Sequence, residues 1–182
     1  LFLAFAFPYQ TLIPIFADRV LHIGVSGYGL LMGATGVGSV GGMIVLAALS
    51  NYKQQGKVVL VSIVAFGALL LAFAASRWLP SSLMLMVGVG VASFVYRTIT
   101  VSLMYRLSPP EMYGRVMSIL LLDFALMSFG SLLAGTLADV YSAPTAVAIM
   151  ASVVVVLALG MGLGSRELRG LRLGAMPKPG AG

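Results

Sequence analysis

Long uncharged runs, each broken by a short polar stretch, set the pattern of this chain. Leu1 to Ala17 is the first run, followed by Asp18, Arg19, His22 and Gly24. Gly27 to Ser50 is the second, ended by Asn51-Tyr-Lys-Gln-Gln-Gly-Lys57. Val58 to Ser76 is the third, and Arg77, Trp78 and Pro80 mark the turn after it. The fourth runs from Ser81 to Tyr105, interrupted by Arg97, and the fifth from Arg115 to Ala138, interrupted by Asp123. Between them, Arg106 to Gly114 contains Pro109 and Pro110 and cannot be continuous helix. Asp139 to Pro144 turns the chain into the sixth run, Thr145 to Gly164. A helix needs about 20 apolar residues to cross a bilayer. The pattern therefore predicts an all-α integral membrane protein, a bundle of six transmembrane helices over residues 1–164. Ser165 to Gly182 is polar, basic and rich in Gly and Pro, which predicts a disordered tail. Leu1 to Phe7 is already mid-span in character, with no basic stretch or initiating Met ahead of it. That is no signal peptide, and the chain reads as a fragment cut inside or just before its first helix.

Composition sharpens the picture. Charged residues make up 9% of the 182, against 60% hydrophobic, and the mean hydropathy is +1.06. A soluble domain carries roughly 25% charged residues. So sparse a charge could not keep a 19.0 kDa globule in water, which excludes a soluble enzyme, a nucleic-acid binder and a disordered chain. Cysteine is absent, so neither a disulfide nor a thiolate metal site is available. The net charge of +6 reports orientation. With both ends in the cytoplasm, the inner segments hold Lys53, Lys57, Arg106, Arg115, Arg166, Arg169, Arg172 and Lys178, and the outer loops only Arg19 and Arg77. The positive-inside rule selects that topology, with the tail cytoplasmic.

Small residues recur at intervals of four. Gly29 with Gly33 and Gly38 with Gly42 in the second run are the clearest, joined by Gly130 with Ala134, Ser131 with Gly135, and Gly160 with Gly164. Such spacing lets helix backbones approach closely in lipid. The expectation is helix packing, with a sliding surface in a moving protein as the other reading.

Arg97 and Asp123 are the sharpest chemical signal, because charge inside a membrane is costly and is usually paired or turned to a watery cavity. Counted from Arg106 and Arg115, both sit roughly 12–14 Å in from the same edge, on consecutive antiparallel helices, so an ion pair is available. Three readings stand: a static pair locking two helices, a cavity-facing pair that binds substrate or exchanges partners, and Arg97 snorkelling alone. Left alone in an apolar site, Asp123 could carry a proton. Gly90, Ser93, Arg97 and Thr100 form one polar stripe on the fourth helix. In the first, Pro8 and Pro14 flank Tyr9, Gln10 and Thr11, predicting either a helix broken near a binding site or a merely kinked one. Enzymatic constellations are missing: His22 is the one histidine, and there is no metal-ligand pair, nucleophile elbow or phosphate loop. No cofactor, metal or nucleic-acid partner is expected, and the chain does not read as an enzyme.

Three stretches carry a resemblance. They are Pro8-Tyr-Gln-Thr-Leu-Ile-Pro-Ile-Phe-Ala17, the glycine-rich run Gly27 to Gly42, and Pro110-Glu-Met-Tyr-Gly-Arg-Val-Met-Ser118. They resemble the major facilitator superfamily, and within it the bacterial branch of enterobactin and macrolide exporters. The match corresponds to helices seven to twelve, the C-terminal half of a twelve-helix fold. The resemblance implies an N-terminal six-helix half as partner, alternating access around a central cavity, and residence in a bacterial inner membrane. It also implies proton-coupled export of small amphipathic molecules, drug-like or siderophore-like. On that basis Tyr9, Gln10, Ser93, Arg97 and Asp123 are expected along the substrate and ion pathway, and Glu111, Gly114 and Arg115 at a cytoplasmic gate. The loop Asn51 to Lys57 lacks the acidic residue common there in the family. Gly135 to Asp139 resembles the start of that motif on the opposite side. A non-transporting membrane scaffold or accessory subunit is the reading from another class.

Overall fold

In the computed structural model the described residues are 8–49 and 55–164, the side chains of 25, 106–107, 110, 123–124 and 161–164 excepted. They form six helices: α1 (Tyr9–Arg19), α2 (Gly24–Ala48), α3 (Gln55–Ala75), α4 (Leu79–Leu107), α5 (Tyr113–Val140) and α6 (Ala143–Gly164). A 3-10 turn, Pro110–Met112, joins α4 to α5. Among the described residues there is no strand. The molecule is an all-α integral membrane bundle. Helices α2 to α6 are each long and apolar enough to cross a bilayer. The described part of α1 is 11 residues, and the remainder of the expected first span, like the expected tail at 165–182, lies outside the described residues.

The turns explain the helix ends. Pro8 stands at the amino end of α1, while Pro14 lies inside it and the helix continues to Arg19. Pro14 has no N–H, so the carbonyl of Gln10, four residues earlier, loses its helical donor. Between α1 and α2, His22 and Gly24 take positive φ, 52° and 58°. Between α3 and α4 the Ser76 hydroxyl lies 2.8 Å from that of Ser81 and 2.9 Å from that of Ser82, with Pro80 in the first helical turn. Ser142 caps α6, its Oγ accepting from the backbone N–H of Thr145 at 3.4 Å.

Helix α1 is the hub. It packs against α2, α5 and α6, and Leu12, Ile13, Phe16 and Ala17 are fully buried. Phe16 meets Phe73 of α3 with ring centroids 4.4 Å apart. From there α3 packs on α4 and α6, and α4 makes its most extensive contact with α2. At that crossing a Cβ on Gly38 would run into the carbonyl oxygen of Val87, and one on Gly90 into that of Thr35. Hydrogen side chains are therefore obligatory at both positions. Gly42 also packs, against Phe94 and Val91, whereas a Cβ on Gly29 or Gly33 would meet nothing within 4 Å. Gly29 and Gly33, expected at a packing seam, thus lie on an open face of α2 in this bundle. Gly135 and Gly160 are open in the same way, whereas Gly67, which the spacing does not mark, is pressed against Val155 of α6.

Candidate functional site

Several polar side chains of the bundle gather around one space. A cavity of about 170 Å³ lies among α1, α2, α3 and α4. Tyr9 and Gln10 enter it from α1, Thr35 and Ser39 from α2, Phe66 from α3, and Ser93, Phe94, Tyr96 and Arg97 from α4. Four residues singled out in the sequence, Tyr9, Gln10, Ser93 and Arg97, are thereby brought around a single space. The other five are additions of the structure. Thr35 and Ser39 stand one turn apart on α2, a polar pair that a search for i, i+4 spacing could find. Phe66 and Phe94 sit within apolar runs and carry no such mark.

Local bonding defines what the walls offer. The hydroxyl of Thr35 donates to the carbonyl of Leu31 at 3.0 Å, that of Ser39 to Thr35 at 3.0 Å, and that of Ser93 to Gly90 at 3.0 Å. The Thr35 hydroxyl also reaches the Met86 sulfur of α4 at 3.7 Å. With the Ser39 and Ser93 protons committed to their own helices, those two oxygens present lone pairs and act toward a ligand as acceptors. Arg97, exposed, is the cation of the site and a donor, beside the Gln10 amide. Phe66 forms the hydrophobic floor, edge-on to both Tyr9 and Tyr96 with centroid separations of 5.7 Å in each case. Aromatic faces, hydroxyl acceptors and one guanidinium suit a ligand with an apolar body, donor groups and a polar or anionic end.

The depth of Arg97 differs from a count along α4 alone. Gly88 lies against Leu69 of the antiparallel α3, and this register brings Lys57 alongside Thr100. Arg97 is then about 4.5 Å, one short turn, deeper than the level of Lys57, because α4 continues past the ends of α2 and α3.

Asp123 lies on α5, and its side chain is outside the described residues. Helices α4 and α5 scarcely touch along their lengths. They meet at the turn, where Tyr105 and Tyr113 stack edge-on at 5.6 Å and the Tyr105 hydroxyl donates to the Met117 sulfur at 3.1 Å. Consecutive position therefore does not by itself pack the two spans together. Glu111, Gly114 and Arg115 are exposed on and just beyond that turn. No group of three or more His, Cys, Asp or Glu able to hold a metal occurs among the described residues.

Membrane-length helices thus surround a polar cavity lined from several of them, as a multi-pass membrane protein can carry. The family model MFS_3, described as transmembrane secretion effector, matches residues 1–170, and the chain belongs to that family. It is a multi-pass membrane protein of the major facilitator type with a transport role. Neither the curated proteins nor the solved structures gave a match.

Proposed function

We propose that this chain is the C-terminal half of a bacterial inner-membrane exporter of the enterobactin and macrolide type, working by alternating access. It moves small amphipathic molecules, drug-like or siderophore-like, outward in exchange for protons. The observation that carries this reading is the cavity on α1 to α4, whose aromatic floor, hydroxyl acceptors and Arg97 match both parts of an amphipathic ligand. A scaffold or accessory subunit has no use for a polar space inside an apolar bundle, where each unmatched polar group is costly.

The remaining assignments rest on the sequence. Asp123 is the proton-coupling residue, a carboxyl within a span that exchanges between a charged partner and a protonated state. Glu111, Gly114 and Arg115 belong to the inner gate. Both ends of the chain face the cytoplasm, on the distribution of Lys and Arg. An N-terminal half, on this reading, would find room on the open side of α2, where Gly29 and Gly33 meet no neighbour.

The test uses the complete protein in proteoliposomes with an imposed proton gradient and a dye substrate. Gradient-driven dye movement is expected, weakened at least tenfold by Arg97→Ala, a loss of about 1.4 kcal/mol of ligand interaction or more, and uncoupled from the gradient by Asp123→Asn. Transport unchanged by both substitutions at equal expression sinks the assignment of the site.

A further inference from the structure

The α2 and α3 helices are joined in sequence yet make almost no contact, because each leans on α4. Between them is a groove of about 750 Å³. Its floor is α4, lowered where Gly88 and Ala92 carry little or no side chain. One wall is Val45 and Leu49 of α2, the other the face of α3 from Val61 to Leu69. Apart from Ser62 and Lys57 the lining is hydrocarbon. This space is on the opposite side of α4 from the polar cavity: on a helical projection Ser93 and Arg97 fall across the axis from Gly88, Ala92 and Val95.

Lys57 closes one end. It lies in the first turn of α3, is exposed, and has no ion-pair partner among the described residues. From Lys57 to Leu69 the groove follows α3 for about 18 Å, close to half of the roughly 30 Å hydrocarbon thickness of a bilayer. A concave apolar slot one leaflet deep, with a cation at its interfacial end, complements a single lipid molecule rather than the convex face that ordinary lipid contact requires.

We propose that this groove is a binding site for one anionic phospholipid, with an acyl chain lying on α4 between α2 and α3 and the phosphate paired with Lys57. The four-carbon stem of Lys57 follows the apolar wall while its ammonium reaches the headgroup level, and the dipole at the amino end of α3 adds to the attraction. In the orientation given by the basic loops, the lipid comes from the cytoplasmic leaflet. The site is independent of whether export is the activity.

Native mass spectrometry of the complete, delipidated protein tests this, with phosphatidylglycerol and phosphatidylcholine of matched chains as probes. One saturable adduct is expected, about five-fold in favour of phosphatidylglycerol, the factor that one lysine near an anionic surface supplies. Lys57→Gln should abolish the preference and Lys57→Arg keep it. Ala65→Phe, which fills the slot, should remove the saturable adduct of either lipid, and Val61→Phe replaces it if that protein does not fold. Absence of a preference in the unaltered protein overturns the proposal. A preference that survives Lys57→Gln, or an adduct that survives the filled groove, overturns it equally, because the lipid then binds elsewhere.

Discussion

Phe66 holds two tyrosines from two other helices, Tyr9 and Tyr96, edge-on against one ring, and is 1% exposed. Its removal takes away the cavity floor and leaves a void in the core. Phe66→Ala should cost about 3–5 kcal/mol, read as a lowered melting temperature in detergent, with Phe66→Leu well short of that. Ser93 should behave in the opposite way. Its hydroxyl is bonded to its own helix, so Ser93→Ala should change stability by less than about 1 kcal/mol, while raising the KM for substrates that place an N–H or O–H beside it. A drop in melting temperature comparable to that of Phe66→Ala would show Ser93 to be structural. These two residues also mark the limit of what the chain's pattern reveals. Ser93 and Arg97 stand out because a polar group in an apolar run needs a reason. Phe66 does not, since an aromatic side chain in such a run is equally suited to lipid, core or cavity, and only the packing separates these.

At the level of the helices, spacing revealed periodicity without direction. Each of α2 to α6 was placed to within about three residues by its uncharged run and flanking turns. Except on α4, where Ser93 and Arg97 mark the cavity side, which side of a helix faces its neighbours was not legible, because these helices are otherwise apolar all round and lipid leaves no polar face to read. Gly29 with Gly33 and Gly38 with Gly42 have the same spacing; the second pair meets α4 and the first meets open space. The consequence is measurable. Gly38→Ala or Gly90→Ala drives a Cβ into a backbone carbonyl and should destabilise by about 1–3 kcal/mol. Gly33→Ala should leave the melting temperature unchanged or slightly raised. Equal losses at all three would place a neighbour on the Gly33 side within the isolated chain. Consecutive order misleads in the same manner: α4 and α5 follow each other but pack on different partners, so the Arg97 and Asp123 spans are not neighbours along their lengths.

For the molecule as a whole, burial is uneven. The most apolar stretch of α5 has 12% of its residues buried, against 39% for those of α4 and α6, and Leu121, Leu122, Phe129, Leu132 and Leu133 are exposed on it. A second bundle seated on α2 and α5 accounts for both open faces. In the complete protein, a photo-crosslinking side chain at Gly33 or Leu132 should form protein adducts if the proposed N-terminal half packs there. Adducts to lipid alone at both positions would contradict that arrangement. The crossing of Gly38 with Gly90 bears on descent as well. Every single-base change at a glycine codon that yields another amino acid adds a side-chain carbon, so neither position can drift by itself. Ser39 follows the first glycine directly and Ser93 comes one turn after the second, so the crossing also fixes the spacing of two cavity hydroxyls. Diversification among descendants of this chain is expected at Thr35, Phe94 and Gln10, which can change what is carried, while the joint beneath them stays closed to mutation.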